Sequence, residues 1–131
     1  MNKVTPFLMF QNGDAEEAMS FYALLFEDAE IESIVHFGSD EGAPEGSVKA
    51  GVFSLKGQQF RCFDSPIEHA FHFSPSSSIF VECDSEEEID RLYRALVEGG
   101  QALMELGNHG FSRKYGWVND RHGVSWQLNL S

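Results

Sequence analysis

The chain has 131 residues, enough for one domain with a sizeable core that requires neither disulfides nor a metal. Its 42% hydrophobic and 23% charged residues are typical of a soluble globular protein. The formal net charge of −12 argues against binding to nucleic acid or to an anionic membrane, because so acidic a surface repels phosphate groups.

Cysteine usage and the N-terminus indicate the compartment. Cys62 and Cys83 lie in apolar, strand-like runs without metal-type spacing, so we expect buried free thiols in a reducing environment. The first residues, Met1 to Pro6, lack the apolar core of a signal peptide, and no apolar run approaches the roughly 20 residues of a membrane span. These features predict a cytoplasmic protein with no membrane contact.

An internal repeat organises the chain. Residues 7–22 align without a gap with residues 78–93, and in both copies a short apolar strand leads into a helix. The last strand of each copy aligns as well, with Phe60 falling on Trp126. The repeat predicts two modules of similar structure.

Both predicted helices begin with a capping pattern. Asp14 is followed three residues later by Glu17, and Ser85 by Glu88. In such a pattern a side-chain oxygen can accept hydrogen bonds from the free backbone N–H groups of the first turn. Apolar residues then recur at helical spacing, and the glycine pair that begins at Gly99 predicts the end of the second helix.

Three strands are predicted after each helix, which gives the order β-α-β-β-β twice and an α+β fold class. We expect a single domain, 1–131, made of two modules, about 1–66 and 76–131, that a short linker joins. Since one helix covers only one face of each sheet, the modules are expected to form a curved mixed sheet around a cleft. The predicted strands are roughly Ile31–Phe37, Val48–Leu55, Gln59–Asp64, Ala102–Glu105, Tyr115–Asn119 and Ser125–Leu130, with loops at 38–47 and 105–113.

Alternation along the strands selects the residues expected in the cleft, because successive side chains point to opposite faces of a sheet. The cleft then has an aromatic and apolar wall with a few polar groups, which is typical of a small-molecule pocket. The predicted ligand-binding residues are Phe7, Met9, Gln11, Arg61, Phe63, Ser78, Phe80 and Gln127, together with Trp117, which is either a stacking wall or a core residue.

Glu82 is the candidate catalytic residue. A glutamate in an aromatic cleft is desolvated, which shifts it toward neutrality unless Arg61 pairs with it, and such a carboxyl group can transfer protons. Two structural alternatives stay open at this point. One is an ion pair between Glu82 and Arg61, and the other is a bent strand that leaves Glu82 in water.

Several motifs carry a family resemblance, namely Thr5–Phe10, Phe80–Asp84, Gly110–Asp120 and the terminal Val118–Leu128. With the paired modules, they make the whole chain similar to the glyoxalase/bleomycin-resistance/dioxygenase (vicinal-oxygen-chelate) superfamily, in its PhnB-like branch. Proteins of that branch often carry the label 3-demethylubiquinone-9 3-methyltransferase. The resemblance implies the glyoxalase fold and a homodimer with clefts built from both modules.

The resemblance also implies four metal-ligand positions. Metal-dependent members bind the metal through a His or Gln on the first strand of a module and a Glu on its last strand. The corresponding residues here are Phe7, Arg61, Ser78 (or Ser77) and Gln127. Phe cannot ligate, Arg is a fixed cation, and Ser and Gln are weak neutral ligands. We therefore expect no metal and no other cofactor.

The function expected from these features is metal-free binding of a small, partly apolar or aromatic molecule, for example sequestration as in the bleomycin-resistance proteins that the chain resembles. The alternative is a lyase, isomerase or dioxygenase that uses a metal through unorthodox ligands, or proton transfer by Glu82. A third possibility is a dimeric scaffold without a ligand. Methyl transfer is not expected, because the chain lacks the Gly-rich turn of a Rossmann-type methyl-donor domain.

Overall fold

The computed structural model describes residues 3–131, so Met1 and Asn2 of the N-terminal segment considered above lie outside the described residues. The chain divides into two compact units, one that extends to Ala70 and one from Phe71 to Ser131. In each unit the order of elements is β-α-β-β-β, which confirms the predicted α+β class with two βαβββ modules. The first unit comprises β1 (Phe7–Phe10), α1 (Ala15–Leu25), β2 (Ala29–His36), β3 (Val48–Leu55) and β4 (Gln58–Asp64), and the second comprises β5 (Ile79–Glu82), α2 (Glu86–Val97), β6 (Gln101–Gly107), β7 (Lys114–Asn119) and β8 (Ser125–Leu130).

Each unit contains one four-stranded mixed sheet. The strand orders are β1-β4-β3-β2 and β5-β8-β7-β6, so the first strand of each unit lies beside the last one. These two strands run parallel, and the other neighbours are antiparallel. Strands β3 and β8 have the predicted bounds, whereas β6 continues to Gly107, into the segment that was expected to be a loop.

Helix packing buries one face of each sheet. In the first unit Met19 of α1 packs over Gly51 and Cys62, and a Cβ atom at Gly51 would lie 2.8 Å from the Met19 Cε atom. In the second unit a Cβ atom at Gly116 would lie 2.8 Å from the Tyr93 Cδ2 atom of α2. Both glycines stand on the third strand of their unit, where they let the helix approach the sheet closely.

The two helices begin in different ways. In α2 the Ser85 hydroxyl accepts a hydrogen bond from the Glu88 N–H at 3.1 Å, and the Glu88 carboxylate accepts one from the Asp84 N–H at 2.7 Å, as the capping pattern predicts. The corresponding prediction for α1 is wrong, because the Asp14 side chain makes no capping hydrogen bond. Asp64, at the end of β4, accepts the hydrogen bond of the first helical N–H group instead.

The prediction for the cysteines is confirmed, since Cys62 and Cys83 are both free and buried. Burial, with a smaller contribution from the nearby Asp64 carboxylate, raises the pKa of the Cys62 thiol to about 12. Over residues 3–131, the helices are all too short or too polar to cross a membrane.

Candidate functional site

The second sheet has one face under α2 and one open face, and the two faces alternate along its strands. Trp126 and Leu128 of β8 are fully buried, and Gln127 between them points to the opposite face. On β5, Val81 is 9% exposed whereas Phe80 is 56% exposed. Phe80 and Gln127 are paired between β5 and β8, so two of the predicted binding residues are neighbours on the open face.

An open cavity of about 440 Å³ lies on this face. Its walls are largely aromatic, because the Phe111 and Tyr115 rings meet edge to face with centroids 4.8 Å apart and Phe80 lies nearby. Neutral polar groups complete the lining. The lining residues are Phe80, Phe111, Ser112, Tyr115, Gln127, Asn129 and Ser131.

Sequence reasoning missed two of these aromatic residues. Phe111 was placed in a loop, and Tyr115 lies on a strand whose two faces were not distinguished. The signal for Tyr115 was available, because it stands two residues before Trp117 and therefore on the same face. For Phe111 the sequence offers no such signal, because this residue follows the segment from Gly107 to Gly110, which has no strand alternation.

Hydrogen bonds hold the Gln127 side chain in a fixed orientation at the cavity. Its Oε1 atom accepts a hydrogen bond from the Tyr115 hydroxyl at 2.6 Å, and its Nε2 atom donates one to the Ser78 hydroxyl at 3.3 Å. Burial raises the pKa of the Tyr115 phenol, so that group is a neutral donor at ordinary pH. Gln127 thus presents one remaining N–H group, and Tyr115 the lone pairs of its oxygen, to a ligand.

Trp117 belongs to the same hydrogen-bonded network. Its indole N–H donates to the Ser125 hydroxyl at 2.9 Å, and Ser125 in turn donates to Ser78 at 3.2 Å. Trp117 is half-buried and pairs with Gln127 between β7 and β8. It therefore supports the polar residues of the open face through its N–H group, although it does not line the cavity.

Glu82 follows Phe80 along β5 and points to the same open face. Its Oε1 atom accepts a hydrogen bond from the Asn129 amide at 3.0 Å. Its Oε2 atom accepts hydrogen bonds from the same amide at 3.2 Å, from the Ser131 N–H at 3.2 Å and from the Ser131 hydroxyl at 2.9 Å. Both partners line the cavity, so Glu82 is attached to its rim.

The expected shift of Glu82 toward neutrality is wrong. The hydrogen bonds from Asn129, and then those from Ser131, lower the pKa of Glu82 below its usual value, and they outweigh the opposing effect of desolvation. Desolvation is the smaller effect because β5 lies at the edge of its sheet, where the carboxylate is exposed to water. Glu82 is thus an ionised carboxylate and a weaker base than an ordinary glutamate.

The first unit presents a second aromatic face. The Phe7 and Phe63 rings lie 5.5 Å apart between β1 and β4, and Phe7 is 57% exposed. Arg61 is the ladder partner of Phe7 and is exposed, while Met9 is the partner of Phe63. These four predicted residues are therefore neighbours on one sheet.

Gln11 has a structural contact. It follows the end of β1, and its Oε1 atom accepts a hydrogen bond from the backbone N–H of His69 at 3.0 Å. The His69 ring is itself hydrogen-bonded to the Ser65 hydroxyl at 3.1 Å. Gln11 thus fixes the segment that follows β4, and its amide oxygen is already engaged.

The four positions that carry metal ligands in metal-dependent relatives do not fit a metal here. Phe7 and Arg61 are paired across β1 and β4, where they offer a ring and a fixed cation. Ser78 and Gln127 offer neutral oxygens that already take part in hydrogen bonds with each other or with Tyr115. Within residues 3–131, three or more His, Cys, Asp or Glu side chains do not come together anywhere in a group that could hold a metal ion.

Comparison with known proteins connects this architecture to a family. The PhnB protein from Bacillus cereus is 48% identical, with a TM-score of 0.96 over 99% of this chain and 100% of that one. A genomically encoded fosfomycin resistance protein from Listeria monocytogenes is 13% identical, with a TM-score of 0.65 over 100% and 93% of the two chains. A glyoxalase/bleomycin resistance protein from Albidiferax ferrireducens is 15% identical, with a TM-score of 0.61 over 98% and 99%. No curated protein sequence matches the chain.

The Listeria and Albidiferax structures show the fold. The Bacillus cereus structure and a family model show the family. The model described as 3-demethylubiquinone-9 3-methyltransferase matches residues 2–129, nearly the whole length. The chain therefore belongs to the family described as 3-demethylubiquinone-9 3-methyltransferase, to which it is linked by the PhnB protein from Bacillus cereus, and it shares its fold with the glyoxalase/bleomycin resistance protein.

Proposed function

We propose that this protein binds a small, partly apolar or aromatic molecule, without a metal, in the cavity on the open face of the second sheet. The observation that carries the proposal is the lining of that cavity. Three aromatic rings surround a floor on which Gln127 is held in one orientation by Tyr115 and Ser78. An apolar wall with a few fixed polar groups is the usual composition of a small-molecule site.

The chemistry of the floor supports a ligand with limited polarity. The carboxamide and hydroxyl groups of Gln127, Ser78 and Tyr115 satisfy most of their hydrogen-bonding capacity within the network. A ligand gains binding free energy when it covers the aromatic rings, and it needs only one or two polar groups of its own. A strongly hydrated ligand would lose water contacts that the aromatic wall does not replace.

A binding experiment with a single-ring compound tests this function. We expect tert-butylbenzene to shift the amide NMR signals of Phe80, Phe111 and Tyr115, and Phe80→Ala to weaken binding by about tenfold, since a buried ring contributes on the order of 1 to 2 kcal/mol. Phe71→Ala is the matched control, because Phe71 is an exposed phenylalanine of the same unit outside the lining. NMR signal shifts spread over other surfaces of the protein would contradict the proposal. An equal loss of affinity in the Phe80→Ala and Phe71→Ala variants would contradict it as well.

We also propose a homodimer. Several large apolar side chains outside the cavity lining are more than half exposed, and burial against a second copy would remove them from water. Light scattering coupled to gel filtration should give twice the mass of one chain at micromolar concentration. A monomer mass across the concentration range would reject the dimer. These side chains include Phe7, Leu24, Val35 and Ile67.

A cytoplasmic location is part of the proposal. Cys62 and Cys83 are free thiols inside the two units, which is the usual state of cysteine in a reducing compartment. Cell fractionation of the untagged protein should recover it with cytoplasmic markers. Recovery from the periplasm or culture medium would overturn this assignment.

The enzymatic alternative has one specific observation in its favour, which is the ionised Glu82 carboxylate at the rim of the cavity. The ionised carboxylate can accept a proton from an acidic carbon or hydroxyl group, although its lowered pKa makes it a weaker base than an ordinary glutamate. Glu82→Gln separates the two functions. It should abolish turnover of a substrate if Glu82 is the base, whereas binding of an uncharged molecule should continue.

The proposed function does not include methyl transfer, the activity in the family's name. Both sheets are mixed and four-stranded, each with one helix on one face. A Rossmann-type methyl-donor domain instead uses a parallel, doubly wound sheet with a Gly-rich turn at the donor site. The fold thus supports ligand binding better than methyl transfer.

A further inference from the structure

The cavity of the second unit has an uneven distribution of charge. Its seven lining residues are aromatic or neutral and polar. The adjoining Lys114 side chain extends to α2, where its ammonium group lies 2.6 Å from the Asp90 carboxylate. The carboxylate of Glu82 is attached to the rim through Asn129 and Ser131. The cavity thus combines aromatic rings with an anionic edge.

One oxygen of that carboxylate has capacity for a further partner. The Oε2 atom of Glu82 accepts hydrogen bonds from the Asn129 amide and from two groups of Ser131. The Oε1 atom accepts a hydrogen bond from Asn129 at 3.0 Å. A carboxylate oxygen has two lone pairs, so Oε1 can accept a second N–H group or face a methylated ammonium group.

The rings and the carboxylate lie close enough to act on one ligand. Phe80 and Glu82 are two residues apart on β5 and point to the same face, which separates their Cα atoms by about 6.6 Å. Their ladder partners, Gln127 and Asn129, both line the cavity. A ligand of one ring and a short substituent can therefore contact the aromatic wall and reach the carboxylate together.

We propose that this cavity selects organic cations, meaning protonated or quaternary amines with an apolar or aromatic body. This inference rests on the proposed binding function and names its ligand class. The face of an aromatic ring attracts a cation, and the ionised carboxylate adds a Coulombic attraction that a neutral ligand does not feel. An anionic ligand of the same shape is repelled by Glu82 and by the overall charge of −12.

Three probes of matched shape test the selection. Phenyltrimethylammonium, tert-butylbenzene and benzenesulfonate each join one ring to a tetrahedral group, and they carry positive, neutral and negative charge. We expect the dissociation constant measured by NMR titration to be roughly threefold to thirtyfold lower for the cation than for the neutral probe. The anion should bind more weakly than either.

Two matched variants assign the preference to the carboxylate. Glu82→Gln should remove most of the difference between the cation and the neutral probe. Glu87→Gln removes the same charge from an exposed residue in the first turn of α2, on the other face of the sheet, and should preserve the difference. Both side chains are exposed, so both variants should fold, and thermal melts would check this.

The outcomes separate this inference from the function on which it rests. Equal binding of the cation and the neutral probe, or a preference for benzenesulfonate, overturns the charge selection while the binding function stands. A preference that both variants reduce equally reflects only the overall charge and also overturns the selection by Glu82. Binding of none of the probes at the cavity overturns both proposals.

Discussion

The Asp64 carboxylate, on the last strand of the first sheet, accepts a hydrogen bond of 2.9 Å from the backbone N–H of Ala15, the first residue of α1. Its second oxygen accepts one of 2.8 Å from the Val48 N–H at the start of β3. Asp64 is 3% exposed, so both donors depend on this one acceptor group. A residue from the sheet thus fixes the start of the helix, the role that Ser85 performs locally in the second unit.

Removal of this carboxylate should destabilise the protein. Asp64→Ala leaves two backbone N–H groups without their acceptor, and we expect a loss of about 3 kcal/mol in the free energy of unfolding. Asp14→Ala is the control at the residue that precedes the helix, and it should cost less than about 1 kcal/mol because Asp14 makes no side-chain capping bond. Urea denaturation measures both values. An equal loss in the two variants would contradict the role of Asp64.

The two helix starts show how far the sequence repeat predicts the fold. The repeat places Asp14 on Ser85 and correctly indicates two helices at corresponding positions. It could not predict the cap of α1, because Asp64 aligns with the buried, apolar Leu130 and is 49 residues away from Ala15 along the chain. Local patterns indicate where a helix starts, but a cap supplied by a distant strand depends on tertiary packing.

The candidate site, like the fold, could be predicted from the sequence only in part. Strand alternation places Phe80, Gln127 and Glu82 on the open face, because the period of a strand follows from backbone geometry alone. The same alternation does not indicate whether a strand lies at the edge of its sheet. The exposure of Glu82 therefore required the strand order, and the direction of its pKa shift required the hydrogen bonds from Asn129 and Ser131.

The glycines beneath the helices should not tolerate a larger side chain. A Cβ atom at Gly116 would lie 2.8 and 3.0 Å from two ring atoms of Tyr93, so Gly116→Ala should destabilise the protein by about 1 to 3 kcal/mol. Gly107→Ala is the matched control, since a Cβ atom there meets nothing within 4 Å. Thermal or urea unfolding compares the two variants. Comparable stability of both would indicate that α2 can move away from the sheet without cost.

The Cys62 thiol should be nearly inert in the folded protein. Its pKa rises from 9.0 to about 12, so at pH 8 the reactive thiolate is about a thousandfold rarer than in an unshifted thiol. We expect negligible alkylation by iodoacetamide in the native state and rapid alkylation in urea. Because the folded pKa lies above the unfolded one, the contribution of Cys62 to stability is complete below pH 9 and declines as the pH rises toward 12. Rapid native alkylation, mapped to Cys62 by mass spectrometry, would disprove the burial effect.

Tyr115 should control the orientation of Gln127. Tyr115→Phe removes the hydroxyl that donates to the Gln127 Oε1 atom at 2.6 Å while it preserves the ring of the cavity wall. We expect a loss of about 1 kcal/mol in stability and a change in the NMR signals of the Gln127 amide group. Binding of tert-butylbenzene should change less than twofold, because the apolar contact remains. A Gln127 amide group with unchanged signals would show that Ser78 alone holds it.

Binding of a cation at Glu82 should persist to lower pH than it would at a glutamate of ordinary pKa. The hydrogen bonds from Asn129 and Ser131 lower the pKa of Glu82 below 4.5, so the carboxylate is still mainly ionised at pH 4.5. The dissociation constant of phenyltrimethylammonium should therefore rise with a midpoint below pH 4.5, as protonation removes the charge. Calorimetry at intervals of half a pH unit measures this profile, with circular dichroism to confirm folding. The Glu82→Gln variant should bind weakly at every pH, and a wild-type profile that weakens with a midpoint above 4.5 would show that some other group holds the cation.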